Sequence, residues 1–298
     1  MLMSQLNQNF CFHQLHIDVA RNATDDFNLF HDPHKWHNIN NNPFEGPIVL
    51  GFQLESLLEG QIRNYRKANN EQSLVEQNKL HFSHYQLNFA NAVKPGQSVL
   101  VEIKPSQLKE QQSNQILSNR VTIKTNGKLA LMGYKRESRQ PLFLAEKDFS
   151  DLGDLKNYAD RSEIPGTSFF LKRKFMNTSN AKNFLCGSFI DQSQFFDELN
   201  DKADFPEIFP SSLISCALLE RALKNHHDFE QNPMVYTSHK IAIDRRLLKK
   251  LKSNHALHIL VAEIPEQEDT FECYGLVKDN AILFRGIISL VSLEKILK

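Results

Sequence analysis

The sequence predicts an α+β chain built from two copies of one unit, each a buried helix followed by four strands. Three observations carry this: an apolar helical segment in each half, four strand-like stretches after each segment, and small landmarks that recur in the same order.

The first helical segment, PIVLGFQLESLLEGQIRNYR, covers residues 47–66, and the second, PSSLISCALLERALK, covers residues 210–224. Each opens on a proline, which suits a first helical turn because it has no N–H to leave unpaired. Each carries apolar residues along its whole length rather than on one stripe, which predicts burial on most sides. The strand-like stretches of the first half fall near residues 80–90, 98–104, 115–124 and 129–135. Those of the second fall near 235–243, 257–264, 270–278 and 282–290. Apolar residues alternate with polar ones in places, as at Val121 and Ile123 against Thr122 and Lys124. Lys94-Pro95-Gly96 and Asn126-Gly127 mark turns, the second a strong hairpin signal. The shared landmarks are Ser83-His84 with Ser238-His239, Leu100-Val101 with Leu260-Val261, and Leu129 to Gly133 with Ile282 to Gly286.

An antiparallel sheet wrapped round a long buried helix is the hot-dog arrangement. The expected fold is two tandem hot-dog units with their sheets joined: residues 1–137, a polar connector at 138–164, and residues 165–298. The alternative is a single mixed α+β domain in which the internal similarity is accidental.

The composition bounds the function. Lysine plus arginine (35) balances aspartate plus glutamate (35), so the basic excess that nucleic acid or an anionic membrane requires is absent. No apolar run approaches the roughly 18 residues of a membrane span, and the N-terminus lacks a basic region followed by an apolar core. Cys11, Cys186, Cys216 and Cys273 have no CxxC spacing and read as reduced, mostly buried side chains. The expectation is a cytoplasmic protein.

Residues 20–52, ARNATDDFNLFHDPHKWHNINNNPFEGPIVLGF, precede and enter the first helix. Asp26, Phe27, Asn28, His31, Asp32-Pro33, Pro47-Ile48-Val49 and Gly51 in this order resemble the signature of MaoC-like (R)-specific enoyl-thioester hydratases and dehydratases of the hot-dog superfamily. The close match covers about 40 residues; elsewhere the likeness is one of pattern. The resemblance implies reversible hydration of a trans-2-enoyl thioester, or dehydration of a 3-hydroxyacyl thioester. It implies Asp26 and His31 as the acid/base pair, the Gly51 N–H as oxyanion donor, and Asn28 orienting the imidazole or the water. The chemistry fits these types: one group activates water, one protonates the α carbon, and N–H groups at a helix N-terminus hold developing negative charge. Two departures stand out. Leu50 replaces the family's usual histidine, making the oxyanion region more apolar, and the spacing from His31 to Asp32 is one residue shorter. The plain reading of the same residues is a cap and turn formers with His31 on the surface.

His31, His34 and His37 recur every three residues, yet Pro33 argues against one helix through them and no cysteine or acidic cluster completes a site. No metal and no cofactor are expected. In the strand at His81-Phe82-Ser83-His84, core packing is expected rather than catalysis. The 22 phenylalanines are mostly core, although an acyl tunnel would use the same side chains. The second half lacks the signature, and its Asp204-Phe205-Pro206 is read as chance. The resemblance implies that it has lost its site and opens space for a longer acyl chain. The expected partner is an acyl-CoA or acyl-carrier-protein thioester, bound by a monomer or by a homodimer of these double units. The alternatives are a non-catalytic acyl-thioester binder and a hot-dog thioesterase.

Overall fold

The computed structural model describes residues 9–111 and 114–297. All eight expected strands are present, at Phe82–Phe89, Ser98–Ile103, Asn114–Thr125 and Lys128–Ser138 in the first half. The second half has Met234–Asp244, Ala256–Glu263, Thr270–Leu276 and Ile282–Ser292. The Asn126-Gly127 turn forms, with both residues at positive φ between the paired Thr125 and Lys128. Short strands that sequence reasoning missed, Asn9–Cys11, Gln107–Gln111, Ser162–Glu163 and Phe170–Phe175, extend the edges.

The two half-sheets are one. Phe82–Phe89 and Met234–Asp244 run antiparallel at the centre, in register from Asn88 opposite Ser238 to Phe82 opposite Asp244. Each half fans outward from this seam in the same strand order, giving a 12-stranded antiparallel sheet. Leu87 faces Gly133 on one side and His239 on the other; Ile241 faces Gly286 and Tyr85. Exchanging the halves therefore maps Tyr85 onto His239. Side chains alternate faces along a strand, so His84 points away from the face that Tyr85 and His239 share. His84 packs against Phe143 and His239 against Phe52. The repeated Ser-His dipeptide is thus a coincidence, whereas the glycine landmark is structural. A Cβ on Gly133 would lie 1.9 Å from the Gln86 carbonyl oxygen, so no other residue fits this crossing of strands.

The first core helix is Gly51–Ala68 and starts four residues later than Pro47 suggests. The reason is a set of competing bonds: the Ile48 N–H goes to the Phe30 carbonyl and the Val49 N–H to the Val93 carbonyl. Residues 47–50 stay non-helical, and Gly51 becomes the first helical residue. Phe52 through Gly60 are all buried, the polar Gln53, Glu55, Ser56 and Glu59 among them. Each large apolar side chain buried here contributes roughly 1.5–3 kcal/mol. The buried Gln53 amide donates to the carbonyls of His16 and Gly187, joining the packed helices Gln14–Thr24 and Thr178–Gly187 to the core helix. The second core helix is broken at Leu213 into Ile208–Ser212 and Ile214–Lys224. The Glu59 carboxylate accepts the N–H groups of Glu207 and Ile208, so one core helix caps the start of the other.

Between the halves, the chain forms more than a polar link. Phe149 and Leu155 are buried with Phe169, Leu171 and Tyr274 on the sheet's other face. Cys216 and Cys273 are buried, Cys11 is half-buried and Cys186 is exposed, so the expectation of mostly buried cysteines holds for two of the four. Among the described residues no helix is long and apolar enough to cross a membrane.

Candidate active site

The signature residues converge at the N-terminus of the first core helix. The helix Gln14–Thr24 ends at Asp25, which turns into the left-handed conformation and delivers Asp26 to the interior. Asp26 is 4% exposed. Its Oδ1 accepts the Asn28 N–H at 3.0 Å, and its Oδ2 accepts the Ser215 hydroxyl at 2.6 Å. Asn28 Oδ1 in turn accepts the Phe30 N–H and opens the short turn Leu29–His31. The side-chain oxygen of Asn28 is therefore committed to the backbone rather than to the imidazole, a difference from the expectation.

His31 is buried, which overturns the surface reading. Its Nδ1 lies 2.8 Å from the Ile48 carbonyl oxygen. A carbonyl only accepts, so Nδ1 carries the hydrogen and Nε2 is left as the basic nitrogen. Burial holds the imidazole below its ordinary pKa; the nearby Asp26 and the Ile48 carbonyl oppose that shift. Ile48 lies three residues before Gly51, so the bond that fixes the tautomer also fixes His31 beside the helix start. Asp32 accepts the N–H groups of His34 and Lys35 and pairs with Arg21, holding the shortened loop. His34 and His37 are exposed, and the three histidines do not converge.

Gly51 stands at the helix N-terminus, where the first N–H groups have no intrahelical partner and the dipole favours negative charge. Phe89 and Tyr236 rest on it: a Cβ at this position would meet the Phe89 ring at 3.1 Å and the Tyr236 ring at 3.5 Å. Leu50 is buried in the main core.

Several members of the site come from the second half and were not foreseen. Ser215, on the second core helix, donates to Asp26 and so receives the Tyr236 hydroxyl, 2.9 Å away. Burial, with Asp26 close by, pushes the Tyr236 phenol up, so it remains a donor. His239 stacks within 4.5–4.9 Å of the Phe52, Phe89 and Tyr236 rings, and its Nδ1 lies 2.7 Å from Glu55 Oε1. Nothing in the sequence singles out Tyr236, His239, Glu55 and Ser215 from the other polar residues of their strand and helices.

A cleft of about 1020 Å³ opens further along the same seam, beyond Glu59 on the core helix. Its floor is a charge network: Glu137 meets Arg66, Lys135 and Arg245, and Lys135 also reaches Ser83 and Glu207. Burial and the neighbouring Glu207 push Glu59 up to about 7. This lining is costly for an alkyl chain, because apolar contact would strip water from charges. The cleft does not include Asp26 or His31, and the chemistry favours the helix N-terminus as the candidate site.

No family model matches the sequence, and no curated protein matches it. Solved structures do. A MaoC-like dehydratase from Phytophthora capsici aligns with TM-score 0.53 at 10% identity, covering 96% of this chain and 95% of the other. A Mycobacterium tuberculosis protein described as having a double hotdog fold aligns with TM-score 0.54 at 11% identity, covering 97% of each chain. The full-length peroxisomal multifunctional enzyme type 2 from Drosophila melanogaster gives TM-score 0.54 at 10% identity. That match covers 96% of this chain and 48% of the enzyme, so the chain spans about half its length. The chain therefore has the double hot-dog fold, the fold of structures described as MaoC-like dehydratases.

Proposed function

We propose that this protein is a cofactor-independent hydro-lyase that adds water to trans-2-enoyl thioesters, or removes it from 3-hydroxyacyl thioesters, in the first-half site. The carrying observation is the convergence of buried Asp26 and His31 with the Gly51 helix N-terminus, with the His31 tautomer set by Ile48. In hydration, the water oxygen bonds to C3 as Asp26 or His31 Nε2 takes its proton, and C2 receives a proton from the pair. The Gly51 N–H holds the charge that builds on the thioester oxygen. The thiol carrier is coenzyme A or an acyl-carrier protein. The fold neighbours described as dehydratases support this class of reaction.

The test is a spectrophotometric hydration assay on enoyl-CoA substrates. Asp26→Asn and His31→Ala should each lower kcat by roughly 10²–10⁴-fold. Unchanged activity in both variants removes the assignment.

A second reading, acyl-thioester binding without turnover, is favoured by the closeness of the Phe89 ring to Gly51. It predicts acyl-CoA retention with no hydration, and robust turnover excludes it.

A further inference from the structure

The pair Glu55–His239 is buried outside the proposed acid/base machinery, yet it adjoins it. Both side chains are fully buried, and each half supplies one. Glu55 lies one helical turn beyond Gly51. The Phe89 and Tyr236 rings that rest on Gly51 also enclose the His239 imidazole, together with Phe52. With Nδ1–H donated to Glu55 Oε1, two buried atoms have no hydrogen-bond partner among the described residues: His239 Nε2 and Glu55 Oε2. Both are acceptors in this tautomer. The contrast with the matching position is direct, since the Tyr85 hydroxyl finds Glu207 at 2.8 Å inside the protein.

Buried acceptors left unpaired are expensive, and a site built around them rejects ligands that bring only methyl groups. We propose that Glu55 and His239 select acyl thioesters whose chain carries a hydrogen-bond donor, a hydroxyl in the simplest case, over plain alkyl chains. This rests on the reading of the Gly51 terminus as the thioester site. The four residues from Gly51 to Glu55 rise about 6 Å along the helix, which places the donor about five or six bonds from the thioester carbon. An acyl chain entering over Gly51 displaces the Phe89 ring and meets the imidazole next, leaving the Tyr236 bond to Ser215 in place.

Saturated thioesters separate selection from turnover. Calorimetry compares 6-hydroxyhexanoyl-CoA, heptanoyl-CoA and adipoyl-CoA, and the enoyl forms of the first two are assayed in parallel. The hydroxylated chain should bind, and turn over by kcat/KM, on the order of tenfold to a hundredfold better than its methyl counterpart. In the paired variant Glu55→Met/His239→Phe, which leaves no lone buried charge, the ratio should fall to near one. Equal or reversed preference in the native protein overturns the proposal, and so does a preference that survives in the variant. Tightest binding of adipoyl-CoA also overturns it, because that result assigns the pair as a cationic donor. No binding by any of the three overturns it as well. Hydroxyl-selective binding with no turnover keeps the selection and removes the hydro-lyase reading.

Discussion

Ser215 Oγ donates to Asp26 Oδ2 at 2.6 Å, linking the second core helix to the signature of the first half. Because that hydrogen is committed, the Ser215 oxygen takes its own hydrogen bond from Tyr236, and the carboxylate is oriented from across the seam. Hydrogen bonds to charged groups are among the stronger ones in proteins.

Ser215→Ala should therefore lower kcat on an enoyl thioester by roughly tenfold to a hundredfold with a smaller change in KM. Ser215→Thr should recover part of the loss. Steady-state kinetics on the three proteins decides it, and a change confined to thermal stability would assign the bond to folding alone.

Gly51→Ala separates fold from access. The added methyl group meets the far end of the Phe89 ring at 3.1 Å and Tyr236 Cδ2 at 3.5 Å, an ordinary contact, and alanine loses less backbone freedom on folding than glycine. Melting should stay level or rise slightly, while kcat/KM falls by roughly tenfold or more as the N–H terminus becomes obstructed. Native-level activity would place the oxyanion donor elsewhere.

Gly133→Ala and Gly286→Ala form a graded pair across the repeat. The first places a methyl group 1.9 Å from the Gln86 oxygen, the second 3.3 Å from the Lys240 oxygen. Denaturant titration should show Gly133→Ala losing at least about 3 kcal/mol and Gly286→Ala clearly less.

Acid sensitivity should trace in part to His84. Burial pushes it from 6.5 down to about 3, and Leu142 donates to its Nε2. The unfolded chain takes up this proton first, so the stability it contributes is present above about pH 6.5 and is lost as pH falls toward about 3. Glu59, pushed up to about 7 from 4.5, has the opposite sign: its contribution is present below about 4.5 and is lost as pH rises through about 7. Melting across pH 7 to 4.5 should therefore show the native protein losing ground steadily to His84→Gln. A constant difference between the two would rule out His84 as a contributor.

The residues that the sequence made legible are those whose partners lie nearby in the chain or whose burial leaves a period. Apolar residues spread along the whole of the segment at 47–66 announced a core helix, and alternation with Asn126-Gly127 announced strands and a hairpin. Asp26, His31 and Gly51 were legible through an ordered motif. The start of the core helix was misread because Pro47 looks like a first-turn proline, while the Val49 N–H is claimed by Val93, far along the chain.

The sequence by itself determined two helix-and-four-strand units and an Asp-Asn-His segment ahead of the first helix. Tertiary structure alone decided that Ser215 joins Tyr236 to that segment, that His239 pairs with Glu55 on the first core helix, that Asn28 serves the backbone, and that the Ser-His repeat is accidental. The physical reason is separation. Secondary structure follows from local periodicity, whereas contacts across a seam between residues some two hundred positions apart depend on how two sheets register, and a one-residue shift turns every side chain to the other face.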